Sequence, residues 1–335
     1  MFIPQLKCIC LLLLLLGTAL PVQSQNTTLV PAGLVVAWVD GGDLFIRLGE
    51  SAPKLLASDD VIRPYIAPDA KQVAFTRGQG SLPGTLWLAD VDGQSVQELV
   101  GVEDVADEGR TVVIGQVAWL DEATLYFNTA HLGSLGPERQ DDLWRVNTQT
   151  SEVVMLLPTG EGGAFSISPD RQHLALIRPG IYGETQGQIR FMNAQTDVLS
   201  EGFSFDAVST GSEYRFYPEV FWEVDSRAIR VAIPDKDLIY AEETSPPVSL
   251  WRLPVDGSPE PIGSVEASFF GLPRWSDDAA YVVYLKRTGS SASNQFDLII
   301  AGGSGENAVQ YHSGSAGSFG MPTWLPDDSQ FVYPG

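Results

Sequence analysis

The chain has 335 residues, with 42 acidic against 20 basic side chains and a formal net charge of −22. A field of that sign repels phosphate backbones, which argues against a nucleic-acid partner for the surface as a whole. Both cysteines, Cys8 and Cys10, lie in the first two dozen residues, so the chain beyond them holds no disulfide, thiol nucleophile or thiolate metal site.

Residues 1–24, MFIPQLKCICLLLLLLGTALPVQS, combine Lys7, an unbroken leucine run from Leu11 to Leu16 and the small Ser24. A charged start, a short apolar core and a cleavage point read as a secretory signal. The apolar run is too short to span about 30 Å of hydrocarbon. Cys8 and Cys10 precede that run rather than follow it, which argues against lipid attachment. The expectation is an exported protein, periplasmic, associated with the cell envelope or secreted, with no stable membrane insertion after signal cleavage. Residues 25–335 are long enough to bury their own core and are expected to form one domain.

A repeat organises that domain. An aromatic residue or isoleucine followed three residues later by an acid occurs at Ile66, Trp119, Ile167, Trp222, Trp275 and Trp324, at successive spacings of 53, 48, 55, 53 and 49 residues. Each acid leads into a run rich in Val, Ile, Phe and Tyr, such as KQVAFTR, QHLALIR and AAYVVYL, which reads as a strand. The Pro-Asp or Asp-Asp pair before it predicts a tight turn, because Pro presets φ and Asp bonds back to its own backbone. A second hairpin follows in most units, as in GTLWLADVDGQSVQELV and VSLWRLPVDGSPEPIG, with Trp87, Trp144 and Trp251 at one shared position. Four strands per unit, six units and no amphipathic helix predict an all-β fold: a six-bladed β-propeller of four-stranded antiparallel blades.

The ends complete the count. The sixth unit, PTWLPDDSQFVYPG, has only its opening hairpin, while DLFIRLGESAPKLLAS at 43–58 supplies another near the start. Residues 34–58 are therefore expected to complete the last blade and close the ring. Leu34–Val39 and Gln330–Pro334 are both strand-like, so two segments compete for the closing position.

The motifs SISPDRQHLALI, RWSDDAAYVVYL, ADVDGQSVQ and PVDGSPEP resemble the repeat of TolB-like propellers, an aromatic-Ser-Pro-Asp-Gly core followed by a strand and an Asp-x-Asp-Gly turn. The resemblance spans most of the chain after the signal, and it implies a scaffold rather than a chemistry. No copy keeps the glycine after Pro-Asp, which marks a divergent relative. The separate α/β domain that TolB carries ahead of its propeller is not expected here, because the repeat begins almost at once after the signal-like segment.

In such a blade the turns within the two hairpins share one face, and the longer connections share the other. The long segments 129–142, 199–220 and 233–247 place a binding face there. Arg77, Arg178 and Lys286 hold equivalent places at the loop-side ends of their strands, with Arg287, Lys236, Arg139 and Arg215 in or near the same loops. Converging on one rim they form an anion site for carboxylates or an acidic glycan; pointing outward they are solvated strand ends. Tyr214, Phe216, Tyr217, Phe269 and Phe270 line a rim or plug between blades. The candidate binding residues are Arg77, Arg178, Lys286, Arg287, Arg215, Tyr217 and His131.

His131, His173 and His312 share no spacing, so no metal motif is read from them. Asp90-Val91-Asp92-Gly93 begins like a calcium loop, but Gly101 stands where a loop of that kind needs its twelfth-position Glu. G-x-S-x-G, H-E-x-x-H, P-loop and dinucleotide fingerprints are absent. No cofactor is expected. The reading is a monomeric, non-catalytic binding propeller whose partner is a protein or a small anionic or glycan ligand. Two alternatives stay open: a lyase or hydrolase acting on an acidic glycan or small anion through a basic residue with His131 or Tyr217, and a purely structural adaptor.

Overall fold

The structure, a computed structural model, describes residues 34–107, 109–134, 136–241, 246–289, 294–315, 323–324 and 331–332. The signal segment, the residues up to 33 and all of the sixth unit except Thr323, Trp324, Phe331 and Val332 lie outside the described residues. Those described form an all-β protein with three short 3-10 turns and no α-helix.

The strands fall into antiparallel sheets in chain order. The first sheet holds β1 (Val35–Asp40), β2 (Asp43–Leu48) and β3 (Lys54–Ala57). The second holds β4 (Val61–Ile66), β5 (Gln72–Gln79), β6 (Leu82–Asp90) and β7 (Val96–Val100). The third holds β8 (Val112–Trp119), β9 (Thr124–Gly133), β10 (Gly136–Arg139), β11 (Leu143–Asn147) and β12 (Val153–Leu157). Next come β13 (Ala164–Ile167), β14 (His173–Arg178), β15 (Gly187–Asn193) and β16 (Phe203–Phe205), and then β17 (Val220–Trp222), β18 (Ala228–Ile233), β19 (Val248–Pro254) and β20 (Glu260–Val265). The last four-stranded sheet is β21 (Arg274–Trp275), β22 (Tyr281–Thr288), β23 (Gln295–Gly302) and β24 (Val309–Ser315), and β25 (Thr323–Trp324) pairs β26 (Phe331–Val332).

The predicted turns fold through the acid the sequence singled out. Asp69 accepts from Lys71 N, Asp170 from Gln172 N, Asp225 from Arg227 N and Asp278 from Ala280 N, each at 2.9–3.0 Å. In the third strand a register shift falls between a core leucine and the residue after it, at Leu86/Trp87, Leu143/Trp144, Leu250/Trp251 and Leu298/Ile299. The same shift occurs at Leu44/Phe45 in β2. Such a bulge adds local twist to a strand.

The core lies between sheets. Leu44 and Ile46 of the first sheet pack on Val73 and Phe75 of the second, and Leu86 and Leu88 of the second pack on Ile114 and Phe127 of the third. Tyr126 and Leu143 meet Leu174 and Met192, Ile177 and Ile189 meet Val231 and Leu253, and Val248 and Leu250 meet Val282 and Trp275. The second to fifth sheets thus bury both faces against their chain neighbours, so alternation of apolar residues is weak in their second and third strands.

One expectation is corrected. Residues 129–142 do not form a long loop: β9 runs through Thr129 to Gly133, and β10 returns along it with Arg139 opposite Ala130. Thr129 and Ala130 are buried and keep the strand on the sheet. Gly136, at φ 127°, then takes a backbone conformation that side chains with a Cβ rarely adopt, and the chain reverses. His131 is accordingly a strand residue, opposite both Val112 and Glu138.

Candidate functional site: a cleft around Asp141

The connection from β10 to β11 turns at Asp141, which takes a left-handed φ of 52°. Aspartate tolerates that conformation better than most residues with a Cβ. The turn drives its carboxylate inward until the side chain is only 2% exposed. There it meets the segment between β16 and β17: Tyr217 Oη donates to Oδ1 at 2.6 Å, and Arg215 Nη1 pairs with Oδ2 at 3.4 Å. The Arg139 guanidinium lies 4.6 Å from the centre of the Tyr217 ring, a cation–π contact from the other side. Two segments more than 70 residues apart in sequence are joined at one carboxylate.

Burial pushes the Asp141 carboxyl above its ordinary value, against the opposing pull of the Tyr217 hydrogen bond and of Arg215 and Arg139. Burial, together with the neighbouring Asp141 charge, also pushes the Tyr217 hydroxyl upward, so it stays a proton donor. Asp142, the next residue, is buried too, but its oxygens accept from Thr129 N at 2.7 Å, Thr129 Oγ1 at 2.5 Å and Trp144 Nε1 at 2.7 Å. That carboxylate is committed to holding the sheet.

A cavity of about 220 Å³ opens beside Asp141, and both Arg178 and Arg215 line it, with Gly160, Ile181 and Gln186. Arg178 is steadied by the Gly160 carbonyl and Gln188 Oε1, both at 3.3 Å. Two planar guanidinium groups therefore face a space whose one carboxylate is already capped by Tyr217. Such a fork of donors suits a carboxylate, which it binds bidentately.

The other residues singled out from the sequence go elsewhere. Arg77 holds the strand position equivalent to Arg178, but its guanidinium stacks on Trp87 at 4.3 Å and Phe75 at 5.3 Å and donates to Ser58 O at 2.9 Å. It borders a different, larger cavity of about 740 Å³ with Leu82, Val112 and Val113. Lys286 pairs with Glu266, and Arg287 donates to Ala241 O at 3.0 Å over the Phe296 ring. His131 Nε2 lies 3.2 Å from Glu138 Oε2 within the β9–β10 hairpin. Of the candidates, Arg178, Arg215 and Tyr217 are brought together; Arg77, Lys286, Arg287 and His131 are not.

Asp141 was missed from the sequence. Its only signal is the acidic pair that ends the polar run ERQDD just before a strand. Phe216, Phe269 and Phe270 do cluster, with ring centroids 6.0 and 5.4 Å apart, around an apolar hollow beside Tyr217. Among the described residues no group of three or more His, Cys, Asp or Glu side chains is placed to hold a metal ion, and no helix is long and apolar enough to cross a membrane.

No family model matches the chain, and no curated protein is similar to it in sequence. Among solved structures it is similar to one described as an oligogalacturonate lyase in complex with manganese, with a TM-score of 0.52 and 13% identity over 88% of this chain and 76% of that one. A eukaryotic initiation factor structure is matched with a TM-score of 0.54 and 13% identity, over 90% of this chain and 68% of the other. A Dos1 propeller is matched at 0.52 and 9% identity, over 87% and 70%. Identities this low speak for the fold alone. With sheets packed in chain order around shared cores, the chain has a β-propeller fold.

Proposed function

We propose that the chain is an exported, non-catalytic binding propeller of the TolB-like kind, which takes a carboxylate-bearing ligand between Arg178 and Arg215. The supporting observation is that two guanidinium groups line one cavity, in a chain of net charge −22, beside a single carboxyl already engaged by Tyr217. Six blades fit this reading. The bulge at Leu44/Phe45 gives β2 the character of a third strand, which supports assigning the N-terminal sheet to the blade of β25 and β26, with β1 and β26 competing for its second place. Export rests on the signal-like residues 1–24.

The catalytic alternative is supported by less. The structure described as an oligogalacturonate lyase shares only the fold at 13% identity. A general base needs a free, positioned acceptor. Here Asp141 Oδ1 accepts the hydrogen bond from Tyr217 and Oδ2 faces Arg215, so the carboxyl is engaged rather than poised as a base.

Calorimetric titration with succinate tests the reading. The full chain is expected to bind it, and Arg178→Gln to weaken that binding about tenfold, a change of about 1.4 kcal/mol. Equal heats from wild type and variant, or no binding by either, would overturn it.

A further inference from the structure

Beside the arginine cavity lies a second one of about 430 Å³, lined by Tyr182, Tyr214 and Tyr240 and by the hydroxyl-rich stretch Ser209-Thr210-Gly211-Ser212 with Glu213. Ile181 and Arg215 border both, so the two are adjacent. The volume falls in the range of roughly 300–1,000 Å³ usual for small-ligand sites.

Tyr182, Tyr214 and Tyr240 are 48%, 59% and 59% exposed, and the hydroxyls of Tyr182 and Tyr240 are anchored. Tyr182 Oη donates to Asp237, and Tyr240 Oη accepts from Ser209 Oγ at 2.9 Å. Aromatic faces held open at fixed positions lower the ordering cost of binding. Ser209, Thr210, Ser212 and Glu213 line the space between them together with Ile181 and Val208, so its walls are more polar than apolar. Apolar ring faces combined with polar edges match a sugar, whose C–H face stacks on an aromatic ring while its hydroxyls bond to Ser, Thr and Glu.

We infer that the ligand is an acidic oligosaccharide: its carboxylate sits between Arg178 and Arg215, and its neighbouring hydroxyl-rich ring occupies the tyrosine-lined cavity. This rests on the carboxylate site proposed above and adds the class of molecule that carries the carboxylate. Glu213 fits one charged unit followed by a neutral ring, because it accepts from hydroxyls and repels a second carboxylate.

Titration of the full chain with four probes, and with a tripeptide ending in aspartate as a fifth for comparison, separates the two claims: the four are succinate, glucuronic acid, the disaccharide of glucuronic acid linked to glucose, and the neutral disaccharide of two glucoses. The acidic disaccharide is expected to bind about tenfold tighter than glucuronic acid, and the neutral one far more weakly. Tyr240→Phe and Tyr182→Phe keep the rings but release them from Ser209 and Asp237, and each is expected to cost several-fold in acidic-disaccharide affinity at unchanged melting temperature. Succinate binding with no gain from glucuronic acid to the disaccharide overturns the sugar inference and leaves the carboxylate site standing. A tripeptide ending in aspartate that binds tighter than the disaccharide also overturns it, in favour of a peptide. Binding of none of the four overturns both.

Discussion

The indole Nε1 of Trp119 donates to the carbonyl of Tyr65 at 2.9 Å, joining the first strand of one sheet to that of the sheet before it. Trp222 makes the same bond to Ser166 O and Trp324 to Arg274 O, both at 3.3 Å. Trp275 instead turns back to Gly303 O, in the turn between β23 and β24 of its own unit, at 2.7 Å. The repeated tryptophan is thus a fastener between neighbouring sheets, used at alternate positions, and the isoleucines at Ile66 and Ile167 stand where the partner sheet offers its carbonyl instead.

Trp119→Phe keeps the ring packing and leaves the Tyr65 carbonyl without its donor. The expected cost is about 1–2 kcal/mol of stability, read by chemical denaturation. Ile167→Phe adds volume but removes no bond, so it does not mirror that loss.

The missing glycines of the turns are visible as strain. Ala70, Arg171, Ser226 and Ala279 have φ of 56°, 62°, 61° and 59°, the left-handed region that favours glycine. A residue with a Cβ gives up roughly 1–2 kcal/mol there, part of which glycine forfeits through its freer unfolded chain. Ala70→Gly and Ala279→Gly are each expected to stabilise by about 0.5–1 kcal/mol, and the double variant to show the sum.

These two features also show how far the sequence could be read. The repeat period, the Asp turns and the strands were legible because each rests on contacts local to one hairpin, as in SISPD, where Ser168 Oγ donates to Asp170 at 2.6 Å. The site was legible only in part. Arg178 stood out as a strand end, but whether it borders a cavity with Asp141 and Arg215 or stacks on a ring, as Arg77 does on Trp87, depends on side-chain packing that strand spacing does not carry. Asp141 was hidden for the same reason, its partners lying 74 and 76 residues further on. The 129–142 segment misled because Gly136–Arg139 pair back onto Ala130–Gly133 as a short extra strand that the four-strand repeat does not contain.

Stability should respond to acid through Glu223. Its burial opposes ionisation, but hydrogen bonds from Arg252 and Arg230, at 2.9 and 3.2 Å, outweigh that and hold its carboxyl below the ordinary value of 4.5. A depressed folded value stabilises above the unfolded one and fades as pH falls below it. Glu223→Gln should lower the melting temperature at neutral pH, and the deficit should shrink below pH 4.5. A deficit that does not change with pH would contradict the ion-pair account.

Asp141 should behave with the opposite sign. Burial raises its folded value above the ordinary 3.8, so its contribution is greatest below that value and is lost as pH rises through the folded one. Asp141→Asn still accepts from Tyr217 but carries no charge. Its melting temperature relative to wild type should therefore move upward as pH is raised from 3.8 towards neutrality.

The central claim is that Arg178 and Arg215 act together on one carboxylate, and a double-mutant cycle in succinate affinity tests it most directly. Arg178→Gln, Arg215→Gln and the double variant, titrated at one ionic strength, are expected to give losses that do not add, with a coupling of about 0.5–3 kcal/mol. Strictly additive losses, or a variant that binds as well as the parent, would contradict a shared site.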